Sequence, residues 1–218
     1  MRLTLPQRLY LLCYTVDKEK FELTNLQGRG QLLRAAALHE LARAGLLSAQ
    51  GKKVRRRGTA PEDDAFLAEV WHDLPADTAK SWLQFVHNKA ATAEKPVREQ
   101  LAEAGAITVE RQKKLGVLPF DRVYVQDPQQ VLDLQQAVLE PVLKGAGPSS
   151  VPVDALTLGV FAAEVEVTSV FTAKDRREHR ETLKSYASYY DDHLVPGLRK
   201  ALRDSYLSSR AVGGGWGA

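Results

Sequence analysis

The sequence predicts a mainly α-helical fold, a single globular helical domain with one or two β-hairpins. Three observations lead there. Apolar residues recur at helical spacing in one segment after another, Gly and Pro fall mostly at the ends of those segments, and only two short stretches alternate as strands do. With 218 residues, the chain sits near the upper end of one compact domain. A chain of that size buries roughly 70% of its unfolded surface and needs neither disulfides nor structural metal. Residues 1–208 are expected to form the domain, and 209–218, ending in GGGWGA, a flexible tail.

Leu5 to Tyr14 is the first helical segment. In QLLRAAALHELARAGLL, Leu32, Leu33, Ala36, Ala37 and Leu41 share a face, and Gly45 is placed to end the helix. DDAFLAEVWHDL follows, with Asp63 or Asp64 as its cap, then DTAKSWLQFV after the break at Pro75. Trp82 belongs to the core by its pattern. Pro96 suits the first position of the helix PVREQLAEAG, which Gly105 stops. Asp127-Pro128 opens QQVLDLQQAVLEPVLKG, where Pro141 is expected to kink or shorten the helix. Residues 145–150 read as a linker. Beyond it, VPVDALTLGVFAAEVEVTSVF approaches membrane-spanning length, yet it carries Asp154, Glu164 and Glu166, which are costly near a bilayer centre. A buried core helix is therefore expected. DRREHRETLKSY and LRKALRDSYL complete the set as surface-faced helices.

Two passages run from a helix through Ala-Gly into alternating residues with a basic turn: LHELARAGLLSAQGKKVRRRG and REQLAEAGAITVERQKKLGVLPF. The second places Ile107 and Val109 on one strand and Leu115, Val117 and Phe120 on the other, around a tip at residues 110–114. A helix followed by a hairpin also suits a winged-helix DNA-binding module. Against that alternative, RAAALHELARAG has few polar side chains with which to read base edges.

Composition narrows the function classes. With 30 Lys+Arg against 27 Asp+Glu, the net charge is +3, too mild a balance to mark a nucleic-acid binder. The lone cysteine, Cys13, excludes a disulfide framework and a Cys-rich zinc site, and fits a reducing compartment. The amino terminus shows no signal-peptide pattern, since Pro6, Gln7 and Arg8 interrupt its apolar run. Catalytic motifs are missing: there is no G-x-S-x-G, P-loop or H-E-x-x-H, and the five histidines are scattered. Asp191-Asp192-His193 reads as a solvated turn rather than a metal site. Gly28-Arg29-Gly30 before a helix reads as a plain turn or an anion nest. No enzyme activity, metal or cofactor is expected.

The basic clusters carry more. Lys52, Lys53, Arg55, Arg56 and Arg57 crowd one turn, either as a solvated charge run or as a patch for phosphate. The ordered set LTLPQRLYLLCYTVDKEKFEL, RAAALHELARAGLLSAQGKKV, DTAKSWLQFVH, LAEAGAITVERQ with LPFD, and DALTLGVFAAEVEVTSVF resembles the Golgi phosphoprotein 3 family over about residues 3–200, and its bacterial branch in particular.

The resemblance implies a non-catalytic, cytoplasmic, peripheral membrane protein that binds phosphatidylinositol 4-phosphate at a basic pocket, beside a hairpin that contacts membrane and self-associates. The family's head-group residues are a tryptophan, an arginine nine positions later, and two arginines three apart on a later helix. Here the first arginine matches Arg34, while the other positions fall on Asn25, Ala91 and Glu94, the last reversed in charge. Arg29, Lys89, Lys95 and Arg98 lie close by in sequence, so the site is expected to centre on Arg34 and Arg29 with these three contributing. Read on its residues alone, Arg34 is a cation at the edge of an apolar helix, paired with Glu40 or another acid. The contact hairpin is expected to use Arg111, Lys113, Lys114 and Leu115. The expected partner is an anionic phospholipid surface, with a second copy of the chain pairing through the 107–120 hairpin. A scaffold acting through that hairpin alone is the further alternative, and nucleic acid is not expected.

Overall fold

A computed structural model of the chain describes residues 3–22, 28–112 and 120–213. Helix α1 (Leu5–Leu12) buries Leu9, Tyr10, Leu11 and Leu12 together. It ends two residues before the expected Tyr14: the Leu12 carbonyl accepts from the Gln135 side-chain amide at 3.2 Å and from the Ser169 hydroxyl at 2.6 Å, and beyond the helix Gln135 also donates to the Tyr14 carbonyl at 2.8 Å. Tyr14–Thr15 (β1) instead pairs with Lys20–Phe21 (β2) across a 3-10 turn at Val16–Lys18. Cys13, at this junction, is wholly buried, its thiol donating to the Leu9 carbonyl at 3.3 Å. Burial pushes that thiol up to about 12.

Helix α2 (Arg29–Arg43) is the axis of the fold. Every residue from Arg29 to His39 is buried. Small side chains at Ala35, Ala36 and Ala37 let neighbours close in, and at Gly30 the approach is tighter still: a Cβ there would lie 1.9 Å from the Ala90 carbonyl oxygen. Gly45, at φ +74°, closes the helix, with Leu46 N–H donating to Leu41 O at 2.9 Å. The chain then forms β3 (Leu47–Gln50) and β4 (Lys53–Arg56), to which β5 (Lys80–Ser81) adds as a third antiparallel strand.

Between β4 and β5 lies α3 (Ala65–Asp73), capped by Asp64, whose carboxylate accepts from Leu67 N–H at 3.0 Å. After β5 come α4 (Trp82–His87), which buries Trp82, and a 3-10 turn at Ala90–Thr92. Helix α5 (Glu94–Glu103) begins at Glu94, so Pro96 is its third residue rather than its first. A proline is tolerated there because first-turn N–H groups have no partner inside the helix. Its end repeats that of α2, with Ala106 N–H on Leu101 O at 2.9 Å before β6 (Ile107–Gln112). Strand β6 pairs from Ile107↔Val125 to Gln112↔Phe120 with β7 (Phe120–Val125). The expected tip at 110–114 is thus corrected, since Glu110 and Arg111 lie within the paired strand.

Helix α6 (Pro128–Leu143) starts where expected, with Asp127 as a cap that accepts from Gln130 N–H at 3.0 Å, and it runs through Pro141 into its last turn. Helix α7 (Val153–Glu164) is the expected buried helix, though it stops at Glu164, and the apolar residues up to Phe171 pack as a turn with Glu166 at φ +57°. The next predicted helix divides at His179 into α8 (Ala173–Glu178) and α9 (Arg180–His193). Helix α10 (Leu198–Gly213) closes the fold, and Arg199 binds Glu164 at 2.5 Å and Asp191 at 2.6 Å, tying it to α7 and α9.

Two predictions follow from this core. Gly30→Ala is expected to destabilise by about 3 kcal/mol, because the Ala90 backbone cannot yield, against about 1 kcal/mol for Gly45→Ala, where only the left-handed backbone is strained; urea midpoints compare the two. His39, buried with Nδ1 2.8 Å from Tyr190 Oη, is lowered to about 4 by burial and by Arg43. Its neutral form is the one the fold favours, so its contribution is complete above about pH 6.5 and is lost as pH falls to about 4. The loss amounts to roughly 3 kcal/mol at most. Burial raises the Glu40 carboxyl, which trims this slope. Urea midpoints measured across that window should fall, and His39→Gln should flatten the decline.

Candidate anion-binding site

Helix α2 starts abruptly after Gly28, whose φ of +96° and closeness to the Tyr206 ring suit glycine alone. Arg29 therefore enters the protein on the first turn of the helix and is only 6% exposed. Its guanidinium carbon lies 5.4 Å from the centre of the Tyr10 ring and 5.0 Å from that of Phe21. Nη2 donates to Glu94 Oε2 at 2.6 Å. Nε and Nη1 are buried and make no hydrogen bond. Burial works against the guanidinium charge, but the Glu94 carboxylate outweighs it and holds the pKa above the usual arginine value.

Arg29 lies in the wall of a cleft of about 460 Å³ between the β1–β2 turn, α5 and the β6–β7 hairpin. Lys18, Lys20, Arg98 and Arg122 join Arg29 in its wall, against the carboxylates Glu19 and Asp121. Arg98 meets Asp121 at 3.3 Å, and Lys18 is engaged by Glu22 at 2.6 Å. Arg122 leans over Tyr124, and among the described residues neither it nor Lys20 forms an ion pair. The cleft can therefore attract an oxyanion, with Arg29 in its wall beside the unpaired Lys20 and Arg122.

The expected head-group residues separate into three places. Arg29 and Arg98 line the cleft. Arg34 is 1% exposed, with Nε donating to the Phe85 carbonyl at 2.6 Å and Nη2 to Asp73 at 3.0 Å. The acid paired with it is Asp73, not Glu40, whose Oε1 instead accepts from Leu5 N–H at 2.7 Å. Lys89 reaches the same Asp73 at 2.6 Å from solvent. Lys95 lies on the exposed face of α5, 3.8 Å from Glu99. Ala91 sits in the 3-10 turn, and Glu94, where the resemblance places an arginine, is neutralised by Arg29. Asn25, Lys113, Lys114 and Leu115 lie outside the described residues, while Arg111 is exposed on β6 opposite Asp121.

Lys52, Lys53, Arg55, Arg56 and Arg57 occupy the β3–β4 hairpin, where Val54 turns inward between its charged neighbours. Arg56 covers the Trp71 ring at 4.5 Å, and the Arg57 carbonyl accepts from Trp71 Nε1 at 3.2 Å. That patch is separate from the cleft residues. Sequence reasoning missed Lys18, Lys20 and Arg122. Lys18 and Lys20 stood visible in DKEK, but only the folded β1–β2 turn brings them to Arg29. Among the described residues, no group of His, Cys, Asp and Glu is placed to hold a metal ion, and no helix is long and apolar enough to cross a membrane.

Fold and cleft define a mainly α-helical single-domain protein with a cation-lined cleft at the start of a buried helix. The chain belongs to the Golgi phosphoprotein 3 (GPP34) family, whose family model matches residues 5–205. No curated protein sequence matches it.

Removing Arg34 leaves Asp73 beside a buried void. Arg34→Met is expected to cost about 3 kcal/mol, the low end for a broken buried pair because Lys89 remains as a partner. Lys89→Met should cost less than about 1 kcal/mol. Thermal or urea unfolding separates the two.

Proposed function

We propose that the chain is a non-catalytic peripheral membrane protein that binds phosphate of anionic phospholipid head groups, phosphatidylinositol 4-phosphate among them, in the Arg29 cleft. One observation carries the reading: a buried guanidinium with two donors unused, in the wall of a cleft that the unpaired cations Lys20 and Arg122 also line. A guanidinium meets a phosphate through paired N–H groups, so Arg29 suits this task better than a lysine would. Lys20 and Arg122 add attraction toward a negative surface, each worth about 1 kcal/mol. Membership of the family is consistent with phosphatidylinositol 4-phosphate binding. The reading places the protein on the cytoplasmic side of a membrane, attached from without.

The β6–β7 pair supports a second interaction, association of two copies through the 107–120 hairpin. It forms a two-stranded sheet whose outer edges have no strand partner among the described residues, and Val109 is exposed on it. The winged-helix alternative lacks comparable support, because α2 is buried along most of its length and offers no face to a DNA groove.

Liposome flotation tests the lipid reading. Wild-type protein is expected to float with vesicles containing phosphatidylinositol 4-phosphate or equal-charge phosphatidylserine, more at low salt than at moderate salt, and not with neutral vesicles. Lys20→Glu combined with Arg122→Glu, both exposed positions, should weaken binding at least tenfold while leaving the fold intact. Absence of flotation under every condition, or a double variant that floats like wild type, would overturn the assignment.

A further inference from the structure

A second cavity, of about 400 Å³, opens near the other end of α2, between the starts of α1 and α7. Helical rise puts it about 15 Å along α2 from Arg29. It is separate from the lipid cleft and owes nothing to the lipid reading. Thr157, on its wall, is only 1% exposed, and its hydroxyl has no hydrogen-bond partner. A helical threonine commonly returns its proton to a carbonyl of the preceding turn, and this one does not. Arg8 binds Asp154 through Nη1 at 3.1 Å, while its Nε is buried with no partner. Arg43 stands exposed at the rim, without an ion pair among the described residues. Glu40 spends one oxygen on Leu5 N–H.

Within one small volume the wall thus brings together two guanidiniums, two carboxylates, the His39 ring and the two unpartnered hydroxyls of Thr4 and Thr157. A simple anion entering it meets Glu40 and Asp154, and a simple amine meets Arg8 and Arg43; each is repelled by half of the lining. A molecule carrying both charges satisfies both halves. Its oxyanion accepts from Arg8 Nε, Arg43 and Thr157, and its ammonium donates to Glu40 and Asp154. The volume lies at the small end of the range for metabolite sites. We propose that this cavity binds a small free zwitterion, an ammonium and an oxyanion in one molecule of amino-acid or phosphoethanolamine size.

The test is calorimetric titration of the full chain with L-serine, O-phosphoethanolamine, ethanolamine and inorganic phosphate, alongside flotation with vesicles containing phosphatidylethanolamine. At least one of the two zwitterions is expected to saturate at millimolar concentration, with ethanolamine and phosphate at least tenfold weaker. Glu40→Gln keeps an oxygen for Leu5 N–H and removes the charge, and should weaken the zwitterion about tenfold. Thr157→Val should weaken it about fivefold while leaving the urea midpoint unchanged or higher, since it deletes an unpartnered hydroxyl. The proposal is overturned if neither zwitterion binds, if phosphate alone binds as well, if only the vesicles bind, or if Thr157→Val lowers stability without touching affinity.

Discussion

The structure depends on burying α2 from every side. Neighbours can close on that helix only because Gly30 and three successive alanines keep it thin, and because the Ala90 turn presses directly against its backbone. Of the three arginines on that helix, Arg29 and Arg34 are buried with it, so burying it brings two positive charges inside. Each is tolerable only where an acid from another element meets it. Asp73, at the end of α3, serves Arg34, and Glu94, at the start of α5, serves Arg29.

The two pairings differ in a way that matters for function. Arg34 is committed to the Phe85 carbonyl and to Asp73, so it serves as a structural cation that fixes α3 and α4 against α2. Arg29 gives only one of its nitrogens to Glu94 and keeps two in reserve. Glu94 is also where the family resemblance puts an arginine. In this chain the carboxylate at that position, on the first turn of α5, pairs with Arg29 on the first turn of α2.

What was legible in the sequence was local. A cap at Asp63 or Asp64, a helix start at Asp127-Pro128, Gly45 and Gly105 as stops, and both hairpins rest on chemistry within a few residues of each feature; the structure has each of them, with Asp64 as the cap. Boundaries set by distant groups were not legible. The Leu12 carbonyl at the end of α1 is met by Gln135 and Ser169 from elsewhere in the chain, and the 110–114 tip shifted because cross-strand pairing with Phe120–Val125 extends β6 to Gln112. The candidate site divided along the same line. Arg29 and Arg98 were in view because they lie near the family positions, whereas Lys20 and Arg122 stand about a hundred residues apart and share a cleft only after the β6–β7 hairpin folds over the β1–β2 turn. Arg34 showed the converse: its residues alone suggested a cation paired with an acid, the resemblance suggested a head-group contact, and the acid it meets, Asp73, lies 39 residues away.

Cys13 gives this architecture an internal clock. The thiol lies where α1 hands over to β1, fully enclosed and reluctant to ionise. Alkylating reagents act on exposed thiolate, so the native protein should be inert to them, and modification can proceed only as fast as the α1–β1 junction opens. That junction also carries Tyr10 and adjoins Phe21, the two rings that flank Arg29. The rate at which a single sulfur becomes reactive therefore reports, without any engineered label, how often the wall of the Arg29 cleft comes apart.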